Sequence, residues 1–165
     1  MVTVLDATTS PELIEGARTL FREYRESLAN DRAFQDYLVI QGFDAELADL
    51  PGKYAPPKGR LLLARTAVDG VDVFAGCVAL QPLDADRCEM KRMYVRPEHR
   101  GASIGRVMAH AVVGHARTIG YRRMLLDTLP HMREAIALYR SLGFKDTARY
   151  RYNPVEESLF FELIL

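Results

Sequence analysis

Leu13, Ile14, Ala17, Leu20, Phe21, Tyr24 and Leu28 recur at helical spacing, which predicts a helix with one buried face. Thr9 or Ser10 is placed to cap it, Pro11 suits its first turn, Glu12 is placed to close a capping box, and Asn30 ends it. A second helical region is predicted from Arg32 to Leu50, with Phe34, Tyr37, Leu38 and Leu47 as its apolar positions. The loop PGKYAPPKG follows, where three prolines and two glycines interrupt regular structure. The pattern then becomes strand-like in RLLLARTA and VFAGCVALQPL, joined through the hairpin signal Asp69-Gly70, and in RCEMKRMYV. Alternation fails in the last of these at Lys91-Arg92, where two charged residues are adjacent. One extra residue, a β-bulge, would flip the faces in this way. Ile104, Val107, Met108, Ala111 and Val112 mark another helix, ending near Gly120. YRRMLLDTL is a strand, MREAIALYRSLGF a helix capped at Gly143, and KDTARY and SLFFELIL are closing strands, as VTVLDA is an opening one. The order β-α-α-β-β-β-α-β-α-β-β predicts an α/β (α+β) fold. A mixed sheet of about seven strands carries helices on both faces, in one domain over residues 1–165.

Composition adds limits. The chain has 165 residues, 48% hydrophobic and 27% charged, as expected of one globular domain. No apolar run approaches the roughly 20 residues of a membrane helix. MVTVLDATTS lacks the basic-then-apolar pattern of a signal peptide, so a cytoplasmic protein is expected. Cys77 and Cys88 lie in apolar strands and are expected as free, buried thiols. Lys plus Arg and Asp plus Glu both number 22, which argues against nucleic acid as a partner. The charge is uneven, however. Lys91, Arg92, Arg96, Arg100 and Arg106 form a basic run. Asp31, Asp36, Asp44, Glu46 and Asp49 form an acidic one that could attract a cationic ligand. His110 and His115 are five apart on a helix, a poor metal pair, and no metal is expected.

The basic run coincides with RPEHRGASIG, between a strand and a helix. The first turn of a helix has unpaired N–H groups and a partial positive charge, which suits an anion. Gly101 allows an unusual φ. Gly105 sits inside the helix, where glycine costs about 0.8–1 kcal/mol relative to alanine, and a packed pyrophosphate would offset that cost. Neither the P-loop pattern G-x-x-x-x-G-K-S/T nor G-x-G-x-x-G is present.

VRPEHRGASIGRVMAHAV resembles the acetyl-CoA signature of the GNAT superfamily of N-acetyltransferases. That signature has Gln or Arg first, glycine fourth, and glycine or alanine sixth, between a bulged strand and a helix. Arg100 takes the first place, Ser103 that of the middle glycine, and Gly105 the last. AIALYRSLGF is similar to the family's second motif, and the likeness runs from about Leu61 to Phe144. Two positions depart: Ser103 replaces a glycine, and Met132 stands where many members carry asparagine.

The resemblance implies transfer of an acetyl group from acetyl-CoA to a primary amine. Arg100, Gly101, Ala102, Ser103, Ile104, Gly105 and Arg106 would cradle the cofactor. Met93, Tyr94 and Val95, on a splayed strand, would pair with its pantetheine arm and supply an oxyanion donor. Such chemistry needs an amine free of its proton, whose pKa is near 10, and an acid for the leaving thiolate. Glu89 is the implied base and Tyr139 the implied acid. The acceptor pocket would come from the first helices, the loop after them and the final hairpin. Those supply Tyr24, Phe34, Tyr37, Tyr54, Tyr150, Tyr152 and Asn153, and Arg92 could hold the carboxylate of an amino-acid acceptor. A small-molecule amine is the first expectation. A protein or peptide amine and a non-catalytic acyl-CoA-binding module are the alternatives. The apolar end FFELIL could pair across a homodimer.

Overall fold

The first long helix, α1 (Pro11–Ser27), starts where Ser10 Oγ accepts the N–H of Leu13 at 3.2 Å. Ser10, not Thr9, is the cap. Glu12 is therefore the second helical residue instead of the third, too early to close a capping box. The computed structural model describes residues 1–165. The predicted helix over Arg32–Leu50 is two helices, α2 (Arg32–Ile40) and α3 (Phe43–Ala48). Gly42 separates them at φ +70°, a left-handed conformation that helices do not propagate.

The strands are β1 (Thr3–Asp6), β2 (Arg60–Val68), β3 (Val71–Pro82), β4 (Arg87–Val95), β5 (Arg123–Thr128), β6 (Lys145–Asp146) and β7 (Leu159–Ile164). Two more helices are α4 (Ile104–Ile119) and α5 (Arg133–Ser141). The sheet order is β1-β2-β3-β4-β5-β7-β6, and only β4 and β5 pair in parallel. The mixed seven-stranded sheet is as expected, with one helix more than the predicted order. KDTARY shrinks to the two-residue edge strand β6. β7 lies between β5 and β6, with Phe160, Phe161 and Leu163 buried inside the chain. Most of its apolar residues are thus used internally, while Ile164 stays exposed. No helix is long and apolar enough to cross a membrane.

The sheet separates two cores. Leu62, Ala64, Val78 and Leu80 face α4 and α5, while Leu61, Leu63, Cys77 and Ala79 face α1–α3. Strand β4 changes parity partway. Cys88 and Met90 face the α4 side, and so do Met93 and Val95. The register jumps from Ala79 opposite Lys91 to Cys77 opposite Tyr94, and Arg92 takes φ +57°. This is the bulge that the broken alternation predicts. It turns Lys91 and Arg92 to the same side of the sheet, where both line one pocket. Strands β4 and β5 pair only from Arg87–Glu89 to Arg123–Leu125. Beyond Leu125 they diverge, and the pocket occupies the opening.

Candidate active site

After β4 the chain makes a short turn at Pro97–His99, then passes Gly101 at φ +83° and Ser103 at φ +60° into α4. The first helical bond runs from Val107 N–H to Ser103 C=O, 3.0 Å. The N–H groups of Gly101, Ala102, Ser103, Ile104, Gly105 and Arg106 therefore have no acceptor in the chain. A Cβ built at Gly101 would meet nothing within 4 Å. At Gly105 it would meet Leu138 Cδ2 at 3.5 Å and Val95 Cγ2 at 3.8 Å, which are ordinary contacts. Packing thus has room for alanine at 105, and the helical cost of glycine there is left to be offset by something outside the chain. Arg100 and Arg106 lie exposed at the same place, and Arg100 Nε donates to Val95 C=O at 3.1 Å. Arg96 N–H donates to Ala75 C=O at 2.9 Å, so by alternation the backbone groups of Val95 and Met93 face the open edge of β4. Free N–H groups, bare backbone and two arginines fit the phosphates of a nucleotide cofactor, and the open edge fits an extended arm.

The pocket lies beside this cradle. Its floor is Met90–Met93 of β4 and Leu126–Leu129 around the end of β5, and Tyr24, Phe34 and Tyr37 wall it from α1 and α2. Asp127 is its main acidic group. Asp127 Oδ2 accepts from Tyr37 Oη at 2.6 Å and Asn153 Nδ2 at 3.2 Å, and Oδ1 has no partner in the chain. Sequence reasoning missed Asp127. Its signal was a carboxylate within the apolar strand LLDTL, because a carboxylate there needs a partner or a task.

Tyr139, from α5, also lines the pocket, with its ring edge-on to Phe144 at 5.8 Å. Burial raises its pKa, and Tyr24 and Asp127 add to that, so the hydroxyl keeps its proton.

Lys91 is 5% exposed, and its nearest anionic atom is Glu89 Oε1 at 3.9 Å, too far for a hydrogen bond. Burial, with Arg92 adding, lowers its pKa from 10.5 to about 8, against the pull of Glu89 and Asp127. The folded state binds this proton less tightly than the unfolded chain. The ammonium therefore costs stability below pH 8, and the cost is relieved as pH rises toward 10.5. Lys91→Met is expected to stabilise the fold at pH 7, by up to roughly 3 kcal/mol. The gain should shrink between pH 8 and 10.5, and thermal unfolding across that range checks it.

Other expected site residues stand elsewhere. Glu89 has no exposed surface and does not line the pocket. Its Oε1 accepts from Gln81 Nε2 and Arg151 Nη2, each at 2.6 Å, and its Oε2 accepts from Tyr150 Oη. Both oxygens are engaged, which argues against the expected role as base and makes Glu89 the anchor of the segment before β7. Tyr150 is used in the same network.

Arg92 lines the pocket, but Glu46 grips its guanidinium at 2.9 and 3.1 Å, Gln41 Oε1 accepts from it at 2.9 Å, and Phe43 stacks beneath at 5.0 Å. Two of its three guanidinium nitrogens, Nε and Nη2, are thus engaged from within, and its charge is matched by Glu46. Burial alone would raise the pKa of Glu46, but Arg92 and then Lys53 outweigh it and hold it at about 2. The acidic run is divided in its tasks: the Glu46 side chain is turned inward onto Arg92, Asp31 caps α2, Asp44 pairs with Arg25 at the surface, and Asp36 and Asp49 are exposed. Tyr54 is fully buried, edge-on to Phe21, and lies outside the pocket. Tyr152 is exposed and also lies outside it. Tyr94 packs in the α1–α3 core. Tyr24, Phe34, Tyr37 and Asn153 do line the pocket. No cluster of three or more His, Cys, Asp or Glu is placed to hold a metal ion.

The description "Acetyltransferase (GNAT) family" matches residues 16–144. An uncharacterized N-acetyltransferase of Schizosaccharomyces pombe is 36% identical over 160 residues, covering 96% of this chain and 93% of that protein. An acetyltransferase from Streptococcus agalactiae has the same fold at TM-score 0.76 and 19% identity, covering 99% of this chain and 98% of its own. So does the PaiA N-acetyltransferase of Thermoplasma acidophilum, solved in complex with coenzyme A, at TM-score 0.73 and 16% identity, covering 100% and 99%. A bulged β4, a splayed β4–β5 pair and a family match across most of the chain converge: it belongs to the GNAT family of acetyltransferases.

Proposed function

We propose that this chain transfers an acetyl group from acetyl-CoA to a primary amine of a small molecule, by direct attack in a ternary complex. The observation that carries this is the junction of cradle and pocket. Gly105 packs toward Leu138, and the next residue, Tyr139, lines the pocket. The pocket interior is about 70 Å³, which suits an amino group and a few carbons better than a protein surface.

The free N–H groups from Gly101 to Arg106, with Arg100 and Arg106, would hold the phosphates of the cofactor. Met93 and Val95 would bind its arm and offer an oxyanion donor. Bound acetyl-CoA supplies an activated acetyl group as a thioester. Asp127 Oδ1 holds the acceptor nitrogen and takes its proton, while Tyr37 and Asn153 fix the other carboxylate oxygen. Tyr139 holds the proton that the leaving sulfur requires. Tyr24 and Phe34 keep water from the reacting atoms.

Substitution of Gly105 tests the cradle. Gly105→Ala should be more stable by about 0.8–1 kcal/mol, since alanine suits a helix and meets only ordinary contacts. Its CoA affinity in a calorimetric titration should stay within roughly tenfold of wild type, because the family's signature accepts alanine at this place. Gly105→Glu, which sets a carboxylate on the face meant for phosphate, should bind CoA at least roughly tenfold more weakly, and unchanged affinity in that variant would move the cofactor elsewhere. Mass spectrometry after incubation with acetyl-CoA and small primary amines tests the reaction itself. CoA binding with no acetylated amine would leave only a binding module.

A further inference from the structure

The charges around the pocket can be paired off. Glu89 is neutralised by Arg151, with Nη2 to Oε1 at 2.6 Å. Arg92 is neutralised by Glu46, which also takes Lys53 Nζ at 2.8 Å. Two pocket-lining charges are left without an ion-pair partner in hydrogen-bond contact. One is Asp127, whose partners Tyr37 and Asn153 are uncharged. The other is Lys91, 3.9 Å from an already engaged Glu89 oxygen. The two do not pair with each other, since Glu89 is the carboxylate within 4.0 Å of Lys91 Nζ. Burying an ammonium without a hydrogen-bonded partner is costly, and a ligand anion would offset that cost.

On the reading that the chain acetylates an amine, we propose that the acceptor is zwitterionic: a free amino acid or a close analogue, with its amino group on Asp127 Oδ1 and its carboxylate on Lys91 Nζ. Arg92 was the expected carboxylate site, but Glu46 already matches its charge, so the task falls to its neighbour. The bulge explains why two successive β4 residues face the pocket at all. One closes the wall between β4 and α3, and the other is left for substrate. The apolar surround of Tyr24, Phe34 and Met132 fits a modest hydrophobic side chain on the acceptor.

Lys91 also gives the site a pH signature. The charged or titratable groups facing it are Glu89 and Arg92 from β4, Asp127 from β5, Tyr37 from α2 and Arg151 from the segment before β7. As pH rises through about 8 the ammonium is lost, and KM for a carboxylate-bearing acceptor should rise with it.

The test compares one amino acid, its amide and its decarboxylated amine as acceptors, at saturating acetyl-CoA, in wild type and Lys91→Met. The amino acid is expected to have at least roughly tenfold higher kcat/KM than either analogue in wild type, and that ratio should fall toward one in Lys91→Met. Thermal shift in the presence of CoA gives a second readout: the amino acid should stabilise wild type, and the decarboxylated amine should do so less. Equal or better use of the amide and the amine in wild type would overturn this inference and leave acetyl transfer standing. A preference that survives in Lys91→Met would overturn the assignment of Lys91. If CoA binds and no acceptor of any kind is acetylated, the acetyl-transfer reading falls and the inference falls with it. The wild-type comparison decides the matter even if the variant does not fold.

Discussion

Asp127→Asn is expected to lower kcat/KM by about 10²–10⁴-fold, the usual worth of a positioned general base. Its CoA affinity should be unchanged within about twofold, since Asp127 lies in the pocket and not in the cradle. The substitution is nearly isosteric. An amide oxygen still accepts from Tyr37, so the fold should hold and thermal unfolding should confirm it. The loss is of proton acceptance and of negative charge, both needed if the amine arrives as an ammonium with a pKa near 10. Tyr37→Phe should show a smaller loss, about tenfold, because it removes the shorter of the two hydrogen bonds that fix Oδ2 without removing the carboxylate. Steady-state kinetics on the three proteins checks the ranking. An Asp127→Asn enzyme with wild-type kcat/KM would return the base role to another group, Glu89 through a water first.

Glu89→Ala should destabilise the fold by about 3–5 kcal/mol, the cost of removing one member of a buried pair. Three donors lose their acceptor at once: Gln81 Nε2, Arg151 Nη2 and Tyr150 Oη. Glu89 itself has no exposed surface, and the Arg151 side chain is 24% exposed, so water relieves the arginine only in part. Against a typical total stability of about 5–15 kcal/mol, this loss is large. Glu89→Gln keeps an acceptor oxygen and should lose less. Urea unfolding measures both. The pair also separates anchor from base. Lost turnover with intact stability in Glu89→Gln would restore the catalytic role. Lost stability with retained turnover supports the anchor.

Local signals carried much of the fold. The adjacent charges Lys91 and Arg92 announced the bulge, because alternation on a strand tolerates no extra residue. Gly105 announced the cradle, because glycine inside a helix is costly. The apolar run in FFELIL fitted a buried strand as well as one that pairs across a dimer, and the sheet order shows only that it lies between β5 and β6. What was hidden depended on distant meetings. Tyr37 and Asn153 come from α2 and from the segment before β7, far from Asp127 in sequence. Nothing local to Glu89 shows that Arg151 and Tyr150 reach back to it, or that Glu46 on α3 pairs with Arg92. The sequence could say which residues bear charge and not which of them were already paired. Here that distinction separates anchor from site.

The most direct test is thiol release from acetyl-CoA measured together with N-acetylated product, in wild-type protein given a panel of amino acids and small amines. The prediction is one thiol per acetylated amine, no release without an acceptor, and initial-rate lines that intersect when both substrates are varied, as a ternary complex requires. Thiol release without acetylated amine, or no release with any acceptor although CoA binds, would contradict it.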